Sequence, residues 1–408
     1  MRSRATAAAT AAALACLLAG CGSSAGGDPG TVVYWDTSGA GESAVFTEIA
    51  QECGRTGGYA VDVQTVAFDQ ALNNFKTAAQ GGQGPDVLRA DVGWVAQLAQ
   101  AGLIQDLSGT PLADTADFLP EPVASTRYDG KPYAVPQVTD TLALLYNERA
   151  LAEAGVEPPR TWADLERIAP ALGGDRAMFL NNDAFYALPF LYAEGGDLVD
   201  TGTRTITVDS PESVRGLSIA KDLIDSGAAR TALDQTNSYG IMKAAFTSGE
   251  VAMVLDGPWV IPELSQSELF ADGQNLGIAP VPGPGGPIGG HDYVLRQGSD
   301  ATGNATKFVE CMSSTANQAA IAERLGLLPT RRSAYDEPAV ADHPVVSAFR
   351  PLVENTLPRA WIPEGNELLE PLKTAYAQVL AGHADAGTAL DRTAGIYHET
   401  VLDGYTRR

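Results

Sequence analysis

The order of the predicted elements places the chain in the α/β class, with a mostly parallel sheet. Along the first hundred residues β-rich runs alternate with helical patterns, and strands that alternate with helices form βαβ units. The chain has 408 residues, and a leader of 21 residues leaves 387. That length is enough for two domains of ordinary size, each with its own core.

The first strands and helices alternate regularly. In residues 59–66, Val61 and Val63 fall on one face and Asp62 and Gln64 on the other, a spacing typical of a strand. Gly102 ends the last helix of this part. The expected strands are 31–35, 59–66 and 85–90, and the expected helices are 42–53, 68–80 and 94–101.

The middle of the chain contains a nearly all-apolar run, residues 141–146, which suits a strand buried on both faces. Thr161 and Asp164 predict a capping box at a helix start. Residues 280–290 are rich in proline and glycine and predict a loop or a crossing between domains. Further helices are expected at 161–171, 211–227, 238–248, 305–313 and 317–325, a strand at 251–255, and proline-broken helices in the last 60 residues.

The charge balance is strongly acidic. The chain has 27 Lys and Arg against 50 Asp and Glu, a net charge of −23, and no clustered basic stripe. Such a surface repels nucleic-acid phosphates and anionic lipid, so a nucleic-acid partner is not expected. The four histidines are far apart and show no metal-ligand spacing, and neither a metal nor a cofactor is expected.

The N-terminus has the pattern of a lipoprotein export signal. Arg2 and Arg4 precede an apolar run, residues 7–18, and Leu18-Ala19-Gly20-Cys21 matches a lipobox. The apolar run is too short to span a bilayer, so the lipoprotein signal, residues 1–21, is expected to be cut at the lipobox, which leaves Cys21 at the new N-terminus. Residues 22–30 then form a flexible tether behind a lipidated Cys21. The alternative is an ordinary secretory signal with a chance cysteine.

Two cysteines remain in the folded part. Cys16 leaves with the leader and Cys21 takes the lipid, which leaves Cys53 and Cys311. In an oxidising extracellular setting an isolated pair forms a disulfide. Two free buried thiols are the alternative, and the sequence does not separate the two.

Enzyme motifs are weak. Residues 22–26 match the G-x-S-x-G pattern of serine hydrolases, but they lie in the tether and lack the strand–turn–helix context that gives the pattern meaning. No dinucleotide-binding glycine motif follows a strand, and no P-loop is present. Because acidic residues are abundant, a glycosidase pair of carboxylates stays open as an alternative.

The tryptophans point to carbohydrate. Trp35, Trp94, Trp259 and Trp361 lie at the edges of predicted elements, whereas Trp162 is assigned to packing. The apolar face of a pyranose stacks on an indole ring, and nearby carboxylates accept hydrogen bonds from its hydroxyls. Tryptophans at loop edges near carboxylates therefore favour a sugar pocket.

Several short motifs, in this order, resemble the sugar-binding proteins of bacterial ABC importers, most closely the actinobacterial maltose/maltodextrin-binding lipoproteins. The resemblance covers almost all of the mature chain. The matching segments are 84–86, 99–104, 128–136, 144–147, 159–162, 245–250 and 252–259.

The resemblance implies a periplasmic-binding-protein-like fold of two lobes, with the ligand in the cleft between them. One lobe is expected at 31–138 plus 291–338, and the other at 140–289 plus 339–408. Hinge crossings then fall near 138–141, in 283–291 and near Pro338. This scheme places Asp140 just past the first crossing, at the border of the second lobe.

Residue by residue, the resemblance also implies a binding site. Asp140 and Asp183 match carboxylates that bond sugar hydroxyls. Phe185, with Tyr186 beside it, matches an aromatic position, and Trp259 and Trp361 match stacking tryptophans. In the first lobe Asp91 and Trp94 resemble the D-x-x-W of actinobacterial members. Ser38 and Glu42 are further loop candidates.

The expected function is that of a lipid-anchored receptor, not an enzyme. It binds a maltose- or maltodextrin-type oligosaccharide on the extracellular face of the cytoplasmic membrane. It is expected to be a monomer, to contact the membrane through its lipid, and to deliver sugar to the permease subunits of an ABC importer. Trehalose, a galactoside or another oligosaccharide is the alternative ligand, and a surface glycoside hydrolase is the alternative class.

Anchoring has a direct test. Cys21→Ala removes the thiol that carries the lipid, so the variant is expected to leave the membrane fraction, whereas the wild type stays in it. Cys16→Ala is the matched control, because it leaves the lipobox cysteine in place. Full retention of Cys21→Ala in the membrane fraction contradicts the lipobox.

Overall fold

A computed structural model describes residues 30–232 and 237–407. The leader, Cys21 and residues 22–29 of the tether lie outside the described residues. No helix in the described ranges has both the length and the hydrophobicity needed to cross a bilayer.

The first part of the chain follows the predicted alternation closely. Helix 68–80 has its predicted bounds, and the other elements differ by a few residues at their ends. The elements are β1 (Thr31–Asp36), α1 (Ser43–Gly57), β2 (Ala60–Thr65), α2 (Phe68–Gln80), β3 (Val87–Asp91), α3 (Val95–Gln100), α4 (Pro120–Ser125), β4 (Arg127–Tyr128), β5 (Lys131–Pro132) and β6 (Ala134–Thr141).

The middle part begins with a strand that a single residue separates from β6. Its elements are β7 (Ala143–Asn147), α5 (Glu148–Ala154), α6 (Trp162–Ile168), β8 (Met178–Leu180), α7 (Ala184–Ala193), β9 (Val199–Asp200), β10 (Thr205–Ile206), α8 (Pro211–Asp225), β11 (Ala229–Thr231), α9 (Ser238–Thr247), β12 (Met253–Asp256), α10 (Ile261–Leu264) and β13 (Leu276–Ala279). The capping box predicted for α6 is present, with reciprocal hydrogen bonds between Thr161 and Asp164.

The last part begins with a long strand and is otherwise mainly helical. Its elements are β14 (Ile288–Leu295), α11 (Thr302–Met312), α12 (Thr315–Leu325), β15 (Leu328–Pro329), α13 (Pro338–Ala341), α14 (Pro344–Val353), α15 (Leu369–Leu380), α16 (Ala386–Ile396) and β16 (Thr406–Arg407). The glycines at 289 and 290, predicted as loop, therefore belong to a strand.

Two large sheets organise two lobes, which confirms the predicted two-lobed α/β fold. The six-stranded sheet has the order β15-β6-β14-β3-β1-β2, and the five-stranded sheet has the order β11-β8-β12-β7-β13. We call the lobes around these sheets the first and the second lobe.

The prediction of a mostly parallel sheet is wrong. In the first lobe β1 is parallel to β2 and β3, but β14 is antiparallel to β3 and β6. In the second lobe β8 is parallel to β11 and β12, but β7 is antiparallel to β12 and β13. Only βαβ units impose a parallel direction. Strands β6, β7 and β14 instead adjoin the crossings between lobes, so no crossover helix dictates their direction.

Each lobe has its own core. The first sheet is buried on both faces: Val87 and Tyr293 pack on one side, and their neighbours Leu88 and Val294 pack on the other. The largest cluster surrounds the five-stranded sheet, where the predicted central strand β7 is almost fully buried.

The crossing segments are hydrogen-bonded to one another. Thr141 Oγ1 donates to the carbonyl of Pro287 (2.9 Å). The amide of Ile288 donates to the carbonyl of Leu357 (3.0 Å), and the amide of Leu357 donates to the carbonyl of Gly286 (2.9 Å). Thr141, residues 286–288 and Leu357 therefore lie side by side. The third hinge crossing, expected near Pro338, remains a prediction.

Asp140 lies on β6 and pairs with Gly289 of β14 in the first sheet, whereas the sequence placed it just past the crossing. The strand continues to Thr141 because β14 offers paired backbone groups up to Ile288. The lobe boundaries at 31–138 plus 291–338 and at 140–289 plus 339–408 remain predictions.

Cys53 on α1 and Cys311 on α11 are joined by a disulfide in the structure, with their Cα atoms 5.8 Å apart. Asn317 Nδ2 donates to the carbonyl of Cys311 (2.7 Å) and ties α12 to the same point. The bond therefore links an early helix of the first lobe to a helix that follows the second lobe in sequence.

The disulfide is expected to stabilise the folded protein substantially. It closes a loop with a sequence separation of 258, and removal of such a bond costs about 2–5 kcal/mol of unfolding free energy. The double variant Cys53→Ala, Cys311→Ala is expected to show this loss in urea denaturation, and reduced wild type is expected to behave similarly. Two alkylatable thiols in the unreduced mature protein contradict the bond.

Candidate functional site

The first wall of the site lies at the carboxyl ends of β1 and β3. Because these strands are parallel, the residues that follow them meet at one edge of the sheet, where open α/β sheets bind ligands. The loop after β1 carries Ser38 and Glu42. Asp91 ends β3, and Trp94 lies in the 3₁₀ turn that follows, Val92–Trp94.

The loop after β1 is held by its own polar contacts. The Ser38 amide donates to Asp36 Oδ1 (3.1 Å), and its hydroxyl donates to Oδ2 of the same carboxylate. Glu42 is only 3% exposed and lies 4.0 Å from Arg89 Nη2, and burial raises its pKa. Its Oε1 has no hydrogen-bond partner within the described part of the chain.

Asp91 links the first wall to the second. Its Oδ1 accepts from the Gly93 amide (2.7 Å) and lies 3.5 Å from Arg359 Nη1. A Cβ on Gly93 would lie 2.7 Å from Arg359 Nη2, so a side chain there would displace the guanidinium. Arg359 follows α14, in a segment that packs on the second-lobe core through Ala360 and Ile362.

Asp140 lies near the end of β6, three residues before β7 begins. It is 6% exposed, and no hydrogen bond reaches its carboxylate from the described residues. Burial and the charge of Asp91 raise its pKa to about 8, although Arg89 favours the ionised form. A Cβ on Gly289 would lie 2.1 Å from Asp140 Oδ1 and 3.3 Å from Phe185 Cζ. The glycine thus lets a first-lobe carboxyl and a second-lobe ring approach the same point.

Aromatic residues form the second wall. Asp183 caps α7 by accepting from the Phe185 amide (3.1 Å), and its half-exposed carboxylate lies 3.4 Å from Lys373 Nζ. The ring centroids of Phe185 and Trp259 are 6.4 Å apart. Trp259 lies in the 3₁₀ turn Pro258–Val260, directly after β12.

Trp259 is held by a buried polar network. Its Nε1 donates to the hydroxyl of Tyr239 (3.1 Å). The Tyr186 hydroxyl donates to Asp256 Oδ1 (3.2 Å), and burial raises the pKa of Asp256 to about 7. Because Tyr186 is only 7% exposed, it supports this wall and offers little surface to a ligand.

Arg359 brings the last predicted aromatic residue into the site. Its guanidinium carbon lies 5.7 Å from the centroid of the Phe185 ring and 5.8 Å from that of Trp361, within cation–π range. The side chain is 9% exposed. Sequence reasoning named Trp361 and missed Arg359, although both belong to the same short segment.

Trp94 does not have the exposed ring that a stacking residue needs. It is 4% exposed and packs under Phe68, with ring centroids 5.1 Å apart. The 3₁₀ turn points its side chain into the first-lobe core beside Leu98. Ser38 is likewise largely buried, at 6% exposed. The structure therefore brings the predicted residues close together but leaves some of them inaccessible to a ligand.

The lobes touch on both sides of the cleft. Gln97 Nε2 donates to Glu367 Oε1 (2.5 Å) on one side. On the other, a Cβ on Gly41 would lie 3.5 Å from Pro262 Cβ. Two cavities of about 390 and 750 Å³ lie elsewhere, and no predicted site residue lines either. No group of three His, Cys, Asp or Glu in the described ranges is arranged to hold a metal.

Two lobes that close on a cleft of carboxylates and aromatic rings define a two-lobed binding protein. The chain belongs to the bacterial extracellular solute-binding protein family, whose model matches residues 48–348.

Solved and curated relatives extend the match to almost the whole chain. The GacH receptor of Streptomyces glaucescens, solved unliganded and with acarbose, is 42% identical with a TM-score of 0.89, and the match covers 92% of this chain and 99% of that one. The maltotriose-binding protein of Pyrococcus abyssi is 25% identical over 402 residues, 91% of this chain and 82% of the relative. A maltooligosaccharide ABC transporter solute-binding lipoprotein of Streptococcus pneumoniae is 24% identical, with 96% of each covered.

The raised pKa of Asp140 has a consequence for stability. The group ionises near 3.8 in the unfolded chain and near 8 in the folded protein, so the folded state holds more protons between these values. The unfolding free energy therefore falls as pH rises through this window, by up to about 1.4 kcal/mol per pH unit for each such group.

Asp140→Asn is expected to reduce the fall in unfolding free energy between about pH 5 and pH 8, as measured by urea denaturation at each pH. Part of the slope is expected to remain, because burial also raises the pKa of Asp256 and Asp292. Asp106→Asn is the control, because the pKa of exposed Asp106 is lowered to about 2 and the residue stays ionised throughout. Equal slopes for wild type and Asp140→Asn contradict the protonated state.

Proposed function

We propose that this protein is a lipid-anchored receptor for maltose- or maltodextrin-type oligosaccharides that delivers its ligand to an ABC importer. The observation that carries the proposal is the approach of Asp140 and Phe185 from opposite lobes over Gly289. A ligand at this point touches both lobes and therefore favours the closed form.

The two walls supply the groups that an α-glucan needs. Phe185, Trp259 and Trp361 offer aromatic faces to the apolar faces of pyranose rings. Asp140, in its protonated form, both donates to and accepts from hydroxyls, and the oxygens of Asp91 and Asp183 accept from further hydroxyls. Glu42 extends the polar wall of the first lobe. Ser38, Trp94 and Tyr186 act in this proposal as supports for the groups that face the ligand.

The names of the relatives support the ligand class. They include a maltotriose-binding protein and a maltooligosaccharide-binding lipoprotein. The GacH receptor, which was solved with acarbose, adds acarbose to the ligands worth testing. Trehalose and galactosides remain alternatives within the same class.

Binding without catalysis is part of the proposal. The sugar is captured and released unchanged, and the closed form docks on the permease subunits as a monomer. Lipid on Cys21 holds the receptor at the extracellular face of the cytoplasmic membrane. A surface glycoside hydrolase that uses a carboxylate pair is the alternative class. Product formation when pure protein is incubated with maltotetraose favours the hydrolase.

Calorimetry against maltose, maltotriose, maltotetraose, trehalose, lactose and acarbose tests the ligand class. Trp259→Ala is expected to weaken binding of the best α-glucan about thirtyfold, since truncating a stacking ring in a desolvated pocket costs about 2 kcal/mol. Asp140→Ala is expected to cost a similar amount, because sugar hydroxyls lose their partner in the closed cleft.

Trp162→Phe is the matched control for these variants. Trp162 is buried and stacks on Phe190 with centroids 4.4 Å apart, away from the cleft. Its variant is expected to lower stability and to leave affinity near the wild-type value. Equal affinity in wild type, Trp259→Ala and Asp140→Ala removes the proposed site.

A further inference from the structure

Phe68 is an exposed ring at the edge of the first lobe where the site lies. It is 47% exposed, and the only other large hydrophobic side chains so exposed in the described ranges are Ile241 and Ile396. It begins α2 directly after β2, which is parallel to β1. The ring therefore lies at the carboxyl edge of the sheet, with Asp36 and Asp91.

The Phe68 ring is held on one side and open on the other. It packs on Trp94 with an interplanar angle of 31° and a centroid distance of 5.1 Å. The ring of His291 meets it edge-on, with the ring centroids 5.9 Å apart and an interplanar angle of 74°. Two rings thus fix its orientation, while nearly half of its surface stays in water. A rigid, exposed aromatic face is suited to stack against a flat apolar partner.

His291 adds an unpaired polar group beside this ring. Neither of its ring nitrogens has a hydrogen-bond partner among the residues that the structure describes. Burial and the charge of Arg89 lower its pKa well below the ordinary value, so the imidazole is neutral, with one N–H donor and one acceptor. His291 pairs with Asp91 across β14 and β3, which places it beside the carboxylate of the first wall.

An exposed aromatic face beside a neutral donor–acceptor pair matches one pyranose ring. The C–H face of the sugar covers the ring, and a hydroxyl either accepts from the imidazole N–H or donates to its other nitrogen. Trp94 cannot fill the stacking role, since Phe68 already covers it.

We propose that Phe68 is the stacking residue of the first lobe, that His291 bonds a hydroxyl of the same sugar ring, and that Trp94 supports Phe68 from beneath. The proposal rests on the proposed function, because it assumes an oligosaccharide in the cleft. It replaces Trp94 by Phe68 as the residue that touches the ligand.

Titration with maltotriose tests the stacking role. Phe68→Ala is expected to raise the Kd about tenfold, as truncation of an aromatic contact does. Phe68→Tyr keeps the ring and is expected to bind within about twofold of wild type, whereas Phe68→Leu keeps apolar bulk alone and is expected to fall between. Ile396→Ala is the matched control, because it removes an equally exposed apolar side chain outside the cleft. Its Kd is expected to stay unchanged.

Thermal midpoints of the unliganded variants are measured in parallel, so that a loss of stability is distinguished from a loss of affinity. Trp94→Phe is expected to lower the midpoint and to change the Kd less than Phe68→Ala does. The reverse order of Kd values, or a Phe68→Ala variant that binds as wild type does, overturns the stacking role. His291→Leu is expected to weaken binding severalfold, and an unchanged Kd overturns the role of His291.

The measurements distinguish failure of the proposed function from failure of the inference about Phe68. If wild type binds none of the α-glucans, both proposals fall. If wild type binds maltotriose and Phe68→Ala binds equally well, only the inference about Phe68 falls. Unchanged affinity with reduced uptake into cells also overturns it, and assigns Phe68 to contact with a protein partner.

Discussion

The pairing of β6 with β14 is the constraint on which both the fold and the site depend. The two strands pair from Ala134–Val294 to Thr141–Ile288, and each adjoins a crossing between the lobes. Asp140 and Gly289 face each other near the end of this ladder, so the register that completes the first sheet also places Asp140 in the cleft. A shift of one residue would turn Asp140 to the other face of the sheet. It would also move Gly289 from the place where a side chain is excluded.

The charges in the cleft are arranged around two guanidinium groups. Arg89 donates to Gln137 Oε1 (2.8 Å) and lies near Glu42, and Arg359 lies near Asp91. Asp140 forms no ion pair with any described residue, and burial favours its neutral form. A neutral carboxyl costs less to bury than an ionised one and can donate as well as accept. The carboxyl of Asp140 therefore both donates and accepts hydrogen bonds without adding a further buried charge.

Exposure divides the aromatic residues into two groups. Phe185, Trp259 and Trp361 are partly exposed around the cleft, whereas Trp94 and Tyr186 are buried behind other groups. Neighbouring aromatic residues hold the exposed rings in place: the hydroxyl of Tyr239 fixes Trp259, and Trp94 lies under Phe68. Rigid rings lose little conformational freedom when a ligand binds, so the supporting layer contributes to affinity without touching the ligand.

The sequence by itself determined the α/β class, the bounds of α2 and the capping box of α6, because periodicity and capping depend on near neighbours. The resemblance supplied the two lobes. Tertiary structure alone decided the strand directions of β7 and β14, the place of Asp140 on β6, and the burial of Trp94 beneath Phe68. It also decided the approach of Arg359, 268 positions after Asp91, to that carboxylate. These features depend on contacts between residues far apart in the chain, and local spacing in a sequence does not record which distant side chains meet.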